Sequence, residues 1–337
     1  MNAIGPDTRG QHMARESAEA ADVFARTAAR DVTTEVMGVL GARPEAIYTF
    51  ARGSSDAAAN ILSYEFMREL RIPVTSLPPF VFSLGAGVAL GRAMALVISQ
   101  SGASADLVRA ARGAKGQGCP VISITNAPGA PVAEAAALNL SIGAGPEEAV
   151  PATKTVVGSI AAGLGLLAAL RPDYRDRLDG ATEAFQRPEP PLASESLRPT
   201  LLRARSVYVV GRDTGYGAAQ EIALKLKECC ALHAEAYSAS EVLHGPLQLA
   251  TNPLAVLILD TGSPETRGSL DKAEARFRAT GSPVERIDAG PDAARLTPAA
   301  AAAMLLLRLY PVVHDLSLAL GFDPDRPETL SKVTQTV

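Results

Sequence analysis

Along this 337-residue chain, runs that are apolar at nearly every position alternate with stretches of helical spacing, and that alternation leaves few folds open. "MALVIS" (Met94–Ser99) and "PVISIT" (Pro120–Thr125) do not alternate polar with apolar, so each reads as a strand buried on both faces. Strand–helix–strand repetition of this kind builds a parallel sheet with helices on both sides. Strands are expected at Ala46–Ala51, Met94–Ser99, Pro120–Thr125 and Leu138–Gly143, then again at Ser206–Gly211 and Leu254–Asp260. Residues 171–200 interrupt the rhythm with prolines and charges, read as a linker or connecting helix, and divide the chain into two α/β units of similar plan. The expected organisation is a helical segment at 1–40, a first unit at 41–175, a linker at 176–200, a second unit at 201–322 and a tail at 323–337.

Composition narrows the function classes. A net charge of −4 with no basic run offers no footprint for nucleic acid. The N-terminus lacks the apolar core of a signal peptide, and the most apolar stretch considered, Ile160–Leu170, is too short to span a bilayer, so no membrane partner is expected. Three cysteines, two of them adjacent, read as buried thiols in a reducing cytoplasm. The four histidines show no metal-ligand spacing, so neither metal nor cofactor is expected.

Between the strand at Met94–Ser99 and the helix after it lies "SQSGAS", which carries hydroxyls and an amide but no charge. A loop of this kind at the carboxyl end of a strand, opening a helix, suits an anion held by free N–H groups. "GSSD" (Gly53–Asp56) repeats the arrangement after the first strand. One such loop is explained by helix capping; two at one sheet edge suggest a phosphate gripped from both sides. Neither loop has a Walker ending or a dinucleotide fingerprint, so a sugar phosphate fits better than a nucleotide.

In the second unit the stretch "QEIALKLKECCALHAEAY" (220–237) reads as one helix, and Glu221, Lys225 and Glu228 share a face of it. This is either a solvated salt-bridge stripe or a reactive group. His244 follows in a Gly-Pro turn, where an imidazole is structural or presented to a ligand. The tail "FDPDRPETLSKVTQTV" mixes Asp, Pro and Leu as a segment built to be tied down, and it carries Lys332.

The blocks "RGSSDAA", "SQSGASAD", "ALKLKECCALHAEAYSASEVLHGPL" and "DPDRPETLSKVTQTV" together resemble the double sugar-isomerase (SIS) domain family, similar to the isomerase half of glucosamine-6-phosphate synthase. The resemblance implies two flavodoxin-like units with parallel sheets flanked by helices. It implies that Ser54, Ser55, Ser99, Gln100, Ser101, Ser104 and Val150 bind the phosphosugar. Glu228 then matches the glutamate that moves a proton between C1 and C2. Lys225 matches a lysine beside it, His244 the ring-opening histidine and Lys332 the lysine of a tail that closes over the substrate. A homodimer is implied, because in the family that histidine crosses the dimer interface. Ala152 and Ala103 depart from the pattern, standing where a sugar-contacting serine and a glutamate are usual.

About 45 residues precede the first strand, which leaves no room for a glutaminase domain. The expectation is therefore a glucosamine-6-phosphate deaminase, like the shorter stand-alone members. The alternatives are a fructosamine-6-phosphate deglycase, an isomerase-deaminase of galactosamine or tagatose phosphates, and a non-catalytic sugar-phosphate sensor.

Overall fold

The computed structural model describes residues 8–187, 192 and 194–332. Two helices lead in, α1 (Gln11–Ala28) and α2 (Thr33–Leu40). The first unit follows as β1 (Ala46–Phe50), α3 (Ser54–Leu70), β2 (Val74–Ser76), α4 (Phe80–Ser83), β3 (Ala93–Ile98), α5 (Ala105–Gly116), β4 (Val121–Thr125), α6 (Pro131–Ala135), β5 (Leu138–Ser141) and α7 (Lys154–Leu170). Then come α8 (Arg175–Phe185), α9 (Ser194–Arg203), β6 (Ser206–Gly211), α10 (Thr214–Cys230), β7 (His233–Ser238), β8 (Ala255–Asp260), α11 (Pro264–Ala279), β9 (Val284–Asp288) and α12 (Pro298–Ala319).

Both sheets are wholly parallel, ordered β2-β1-β3-β4-β5 and β7-β6-β8-β9. These are the flavodoxin-like units expected. The strand order reverses beside β1, so the loops after β1 and β3 flank the switch point where such sheets bind ligands.

The six strands named from sequence are interior strands plus β5; β2, β7 and β9 were not legible. All three lie at sheet edges, where one side is half-solvated and the apolar run is broken. The helix read as continuing to Tyr237 instead ends at Cys230. Ala231 takes a left-handed φ of 49°, and His233–Ser238 leaves as β7. Within the stretch read as a linker or connecting helix, Arg175–Phe185 forms a helix, α8, whose Phe185 stacks on Phe24 of α1 with ring centroids 3.7 Å apart. Leu178, Ala181 and Phe185 form its buried apolar face.

One apolar core runs through both units, joining Ile47 and Leu96 of the first sheet to Val207 and Leu257 of the second through α1, α3, α7, α10 and α12. Separate clusters cover the outer faces, around Val97 under α5 and around Val256 under α11. By length and hydropathy α12 could cross a membrane, yet 72% of its apolar window is buried inside the protein, so it acts here as a core helix. Cys119, Cys229 and Cys230 are free and buried, as the sequence suggested.

The halves are duplicated in detail. α3 and α10 each have 17 residues. Each is preceded by a residue of unusual backbone, Gly53 at φ 55°, ψ −128° and Asp213 at φ 59°, ψ −133°. The two helices pack antiparallel, because Ser54 at the start of α3 meets Lys225 near the end of α10 while Arg68 near the end of α3 meets Asp213 at the start of α10. They cross at Gly217, where a Cβ would stand 2.5 Å from Ile61 Cγ1 and 2.8 Å from the Ile61 amide. Gly217→Val should therefore force the helices apart and destabilise the fold by about 1–3 kcal/mol. The urea midpoint measures this, and an unchanged midpoint would mean the crossing is not close-packed.

Candidate active site

The cleft at the switch point measures about 190 Å³ and is lined by Arg52, Ser54, Ser55, Val150, Ala152, Glu228, Leu330, Ser331 and Lys332. Four separate parts of the chain thus meet: the start of α3, the loop before α7, the end of α10 and the tail. Of the residues singled out from sequence, Ser54, Ser55, Val150, Glu228 and Lys332 line it, and Lys225 stands directly behind.

Lys225 organises this floor. Its ammonium donates to Glu228 Oε2 at 2.7 Å and to Ser54 Oγ at 2.8 Å, and lies 3.2 Å from Glu221 Oε1. Lys225 and Glu221 have no solvent exposure, whereas Glu228 lines the cleft and keeps 24% of its side chain exposed. The solvated-stripe reading is thereby excluded: this is a buried relay with one carboxylate presented outward. Burial works against the Lys225 charge, but the carboxylates of Glu221 and Glu228 outweigh it and raise its pKa, so the lysine is cationic. Burial pushes the Glu221 carboxyl up to about 7, against the pull of Lys225. Tyr310 of α12 also donates to Glu221 Oε1, at 3.2 Å.

The Glu221 shift has a measurable sign. Its folded pKa lies above the ordinary 4.5, so between those values the folded state holds a proton that the unfolded state has lost. This contribution to stability is full below the ordinary value and is lost as pH rises through about 7. Urea midpoints for Glu221→Gln should fall less between pH 5 and pH 8 than those of the parent; equal slopes would remove Glu221 as their source.

The tail is fixed at both ends of its described part. Asp325 accepts from the amides of His12 and Met13 at 2.9 and 2.7 Å, and Asp323 from Gly10 at 3.1 Å, so tail carboxylates cap the N-terminus of α1. The Val150 amide donates to the Asp325 carbonyl at 3.0 Å. Lys332 sits 3.3 Å from Glu147 Oε2 and also donates to the Ala149 carbonyl. Glu147 is itself buried and accepts from the Thr153 and Thr155 amides at 3.0 and 3.1 Å, which anchors the start of α7. The remainder of the predicted tail, residues 333–337, lies outside the described residues.

The second hydroxyl loop occupies the neighbouring strand end. Ser99 Oγ accepts from the Gly102 amide at 3.1 Å and Ser101 Oγ from Ala103 at 3.3 Å; Ser104 precedes α5 without capping it through its side chain. Gly102 has φ 58°, and a Cβ there would stand 2.5 Å from Ala130 Cβ, so only glycine closes this turn. Ser99, Gln100, Ser101 and Ser104 do not line the cleft itself. Arg52 links the two loops: its Nε and Nη2 reach Asp106 Oδ2, in the first turn of α5, at 2.7 and 2.6 Å.

His244 is not brought to this cleft within one chain. It is exposed beside Leu243, Leu247, Gln248 and Arg276 in a separate open depression. Sequence spacing also missed a juxtaposition: His12, Glu16 and Glu148 bring ligand-type atoms within 4.8 Å of one another. There Arg15 pairs with Glu148, and Glu16 accepts from the amides of Glu148 and Ala149.

A family model for the SIS domain matches residues 42–169 and 200–292. The chain belongs to the SIS domain family. Among curated relatives, a glutamine–fructose-6-phosphate aminotransferase (isomerizing) from Methanothermobacter thermautotrophicus is 31% identical over 91% of this chain and 55% of its own length. One from Leifsonia xyli is 33% identical over 84% of this chain and 50% of its own. This SIS chain thus spans about half the length of those relatives. A solved structure from Silicibacter pomeroyi, described as a phosphosugar isomerase, is 32% identical with a TM-score of 0.83, covering 93% of this chain and 99% of that one. A glucosamine-6-phosphate deaminase from Thermotoga maritima shares the fold at 18% identity and TM-score 0.74, over 96% and 100% of the two chains.

Proposed function

We propose that this SIS protein is a phosphosugar isomerase acting as a glucosamine-6-phosphate deaminase, converting glucosamine 6-phosphate and water to fructose 6-phosphate and ammonia. The observation that carries the reading is the Glu228 carboxylate, held by buried Lys225 and opening into a cleft rimmed by Ser54, Ser55 and Lys332. The relatives named for fructose 6-phosphate, at 31 and 33% identity, support the sugar class.

In this mechanism the hydroxyl loops hold the phosphate, remote from the reacting carbons, so that binding energy orients the open chain. Glu228 takes the C2 proton of the open-chain aldose, giving an enolamine, and returns a proton to C1, leaving an imine at C2. Water adds to C2 and ammonia departs, leaving the ketone. Lys225 holds the Glu228 carboxyl in position through its 2.7 Å hydrogen bond to Oε2. Lys332 orients the open chain by its charge or by a transient imine.

His244 completes the site only if a second subunit supplies it, so a homodimer belongs to the same proposal. The stretch between Arg71 and Arg92 supports one: it has no ionisable residue and exposes Phe80, Leu84 and Val88. A cytoplasmic setting is supported by the three free buried thiols.

Ammonia release from glucosamine 6-phosphate, with galactosamine 6-phosphate and fructoselysine 6-phosphate in parallel, tests the reading. Release from the first alone is the expected result. Release only from another would move the protein to a different substrate, and tight binding without release would make it a sensor.

A further inference from the structure

We propose that Arg52 is the cationic contact for the substrate phosphate, a specificity-determining residue between the two hydroxyl loops; this rests on reading the cleft as a sugar-phosphate site. The loops themselves offer only neutral donors, whereas a phosphate monoester brings close to two negative charges. Three cations stand at the cleft. Lys225 is held by Glu221 and Glu228, and Lys332 by Glu147 and the Ala149 carbonyl. Arg52 is placed differently. Its Nε and Nη2 share a single oxygen of Asp106, while Nη1 has no partner among the described residues, and half of the side chain is exposed on the cleft wall.

Asp106 is what makes this a built position. Its side chain is fully buried in the first turn of α5, two residues beyond Ser104. A guanidinium anchored there is fixed in orientation from the Ser99–Ser104 side, while its backbone belongs to the Ser54–Ser55 side. It therefore lies at the junction where a phosphate would be gripped from both loops. An arginine keeps donors for a phosphate while its other edge holds a carboxylate; a lysine, as a point charge on a flexible stem, cannot do both.

The experiment uses the full chain, with two readouts: KM and kcat for glucosamine 6-phosphate, and the shift in thermal midpoint caused by inorganic phosphate. Arg52→Gln should raise KM by about 10- to 100-fold, the range for a hydrogen bond to a charged group, with a smaller effect on kcat, and should abolish the phosphate-induced shift. Arg52→Lys should recover only part of either. The double variant R52Q/D106N removes the buried carboxylate together with its partner; it should stay folded and still fail to respond to phosphate. A folded Arg52→Gln protein with parental KM and an undiminished phosphate shift would overturn the assignment, as would a parent protein that phosphate does not stabilise. If the parent turns over no sugar phosphate yet shows an Arg52-dependent phosphate shift, the deaminase reading fails and the Arg52 assignment stands.

Discussion

Glu228→Gln is expected to lower the rate of ammonia release by about 10²- to 10⁴-fold, the usual worth of a positioned proton-transfer group, while the protein still binds the phosphosugar. The geometry makes this variant informative. Glu228 Oε2 receives its hydrogen bond from Lys225 at 2.7 Å, and the oxygen of a replacing amide can still accept it. The floor of the cleft therefore keeps its arrangement, and what is lost is a carboxylate able to take and return a proton. Glu228 is also the outward member of the relay, with 24% of its side chain open, whereas Glu221 has none. Two measurements separate proton transfer from binding: the dissociation constant of fructose 6-phosphate, expected to change little, and wash-in of solvent deuterium at C1, expected to disappear. Turnover or deuterium incorporation near the parental rate would show that another group moves the proton. A binding constant weakened in proportion to the rate would instead make Glu228 a ligand contact.

Interior strands were legible in the sequence because burial on both faces writes an unbroken apolar run, as at Met94–Ile98 and Val207–Val210. Edge strands write no such run: "HAEAYS" is mostly half-buried, continues a helical composition, and becomes β7 only because Ala231 turns the chain away from α10. The site divides in the same way. The spacing of Glu221, Lys225 and Glu228 places them on one face, but spacing cannot say whether water or protein covers that face. The cover comes from far away, with Ser54 at a separation of 171 residues and Tyr310 at 89. Arg52 stood inside a motif already noted, yet its partner Asp106, 54 residues on, becomes meaningful only once β1 and β3 lie side by side. His244 was singled out from its turn and the family resemblance, and in one chain it stands apart from the cleft.

Lys225→Met should destabilise the protein by about 3–5 kcal/mol at pH 8, because it removes the cation from a buried pair and leaves a carboxylate uncompensated. Methionine retains most of the apolar stem, so packing changes little and the loss reports on charge. At the end of α10 the ammonium compensates two carboxylates and supplies a proton to Ser54 Oγ, and its own side chain is wholly buried. Without it, Glu221 keeps only the hydroxyls of Tyr310 and Ser54, and its pKa must rise further. The destabilisation should therefore depend on pH in a definite direction. Near pH 5 Glu221 is protonated in the folded state of both proteins, so the variant loses less; at pH 8 the parent holds an ionised Glu221 beside its lysine and the variant cannot. Urea unfolding at the two pH values measures the difference. A loss of equal size at both would assign the effect to packing around the stem rather than to charge. A stable variant that has lost ammonia release would place Lys225 wholly in the service of Glu228 and Ser54. The expected result ties the two roles together: the lysine that permits a carboxylate to be buried under α12 is the same one that presents another to the cleft.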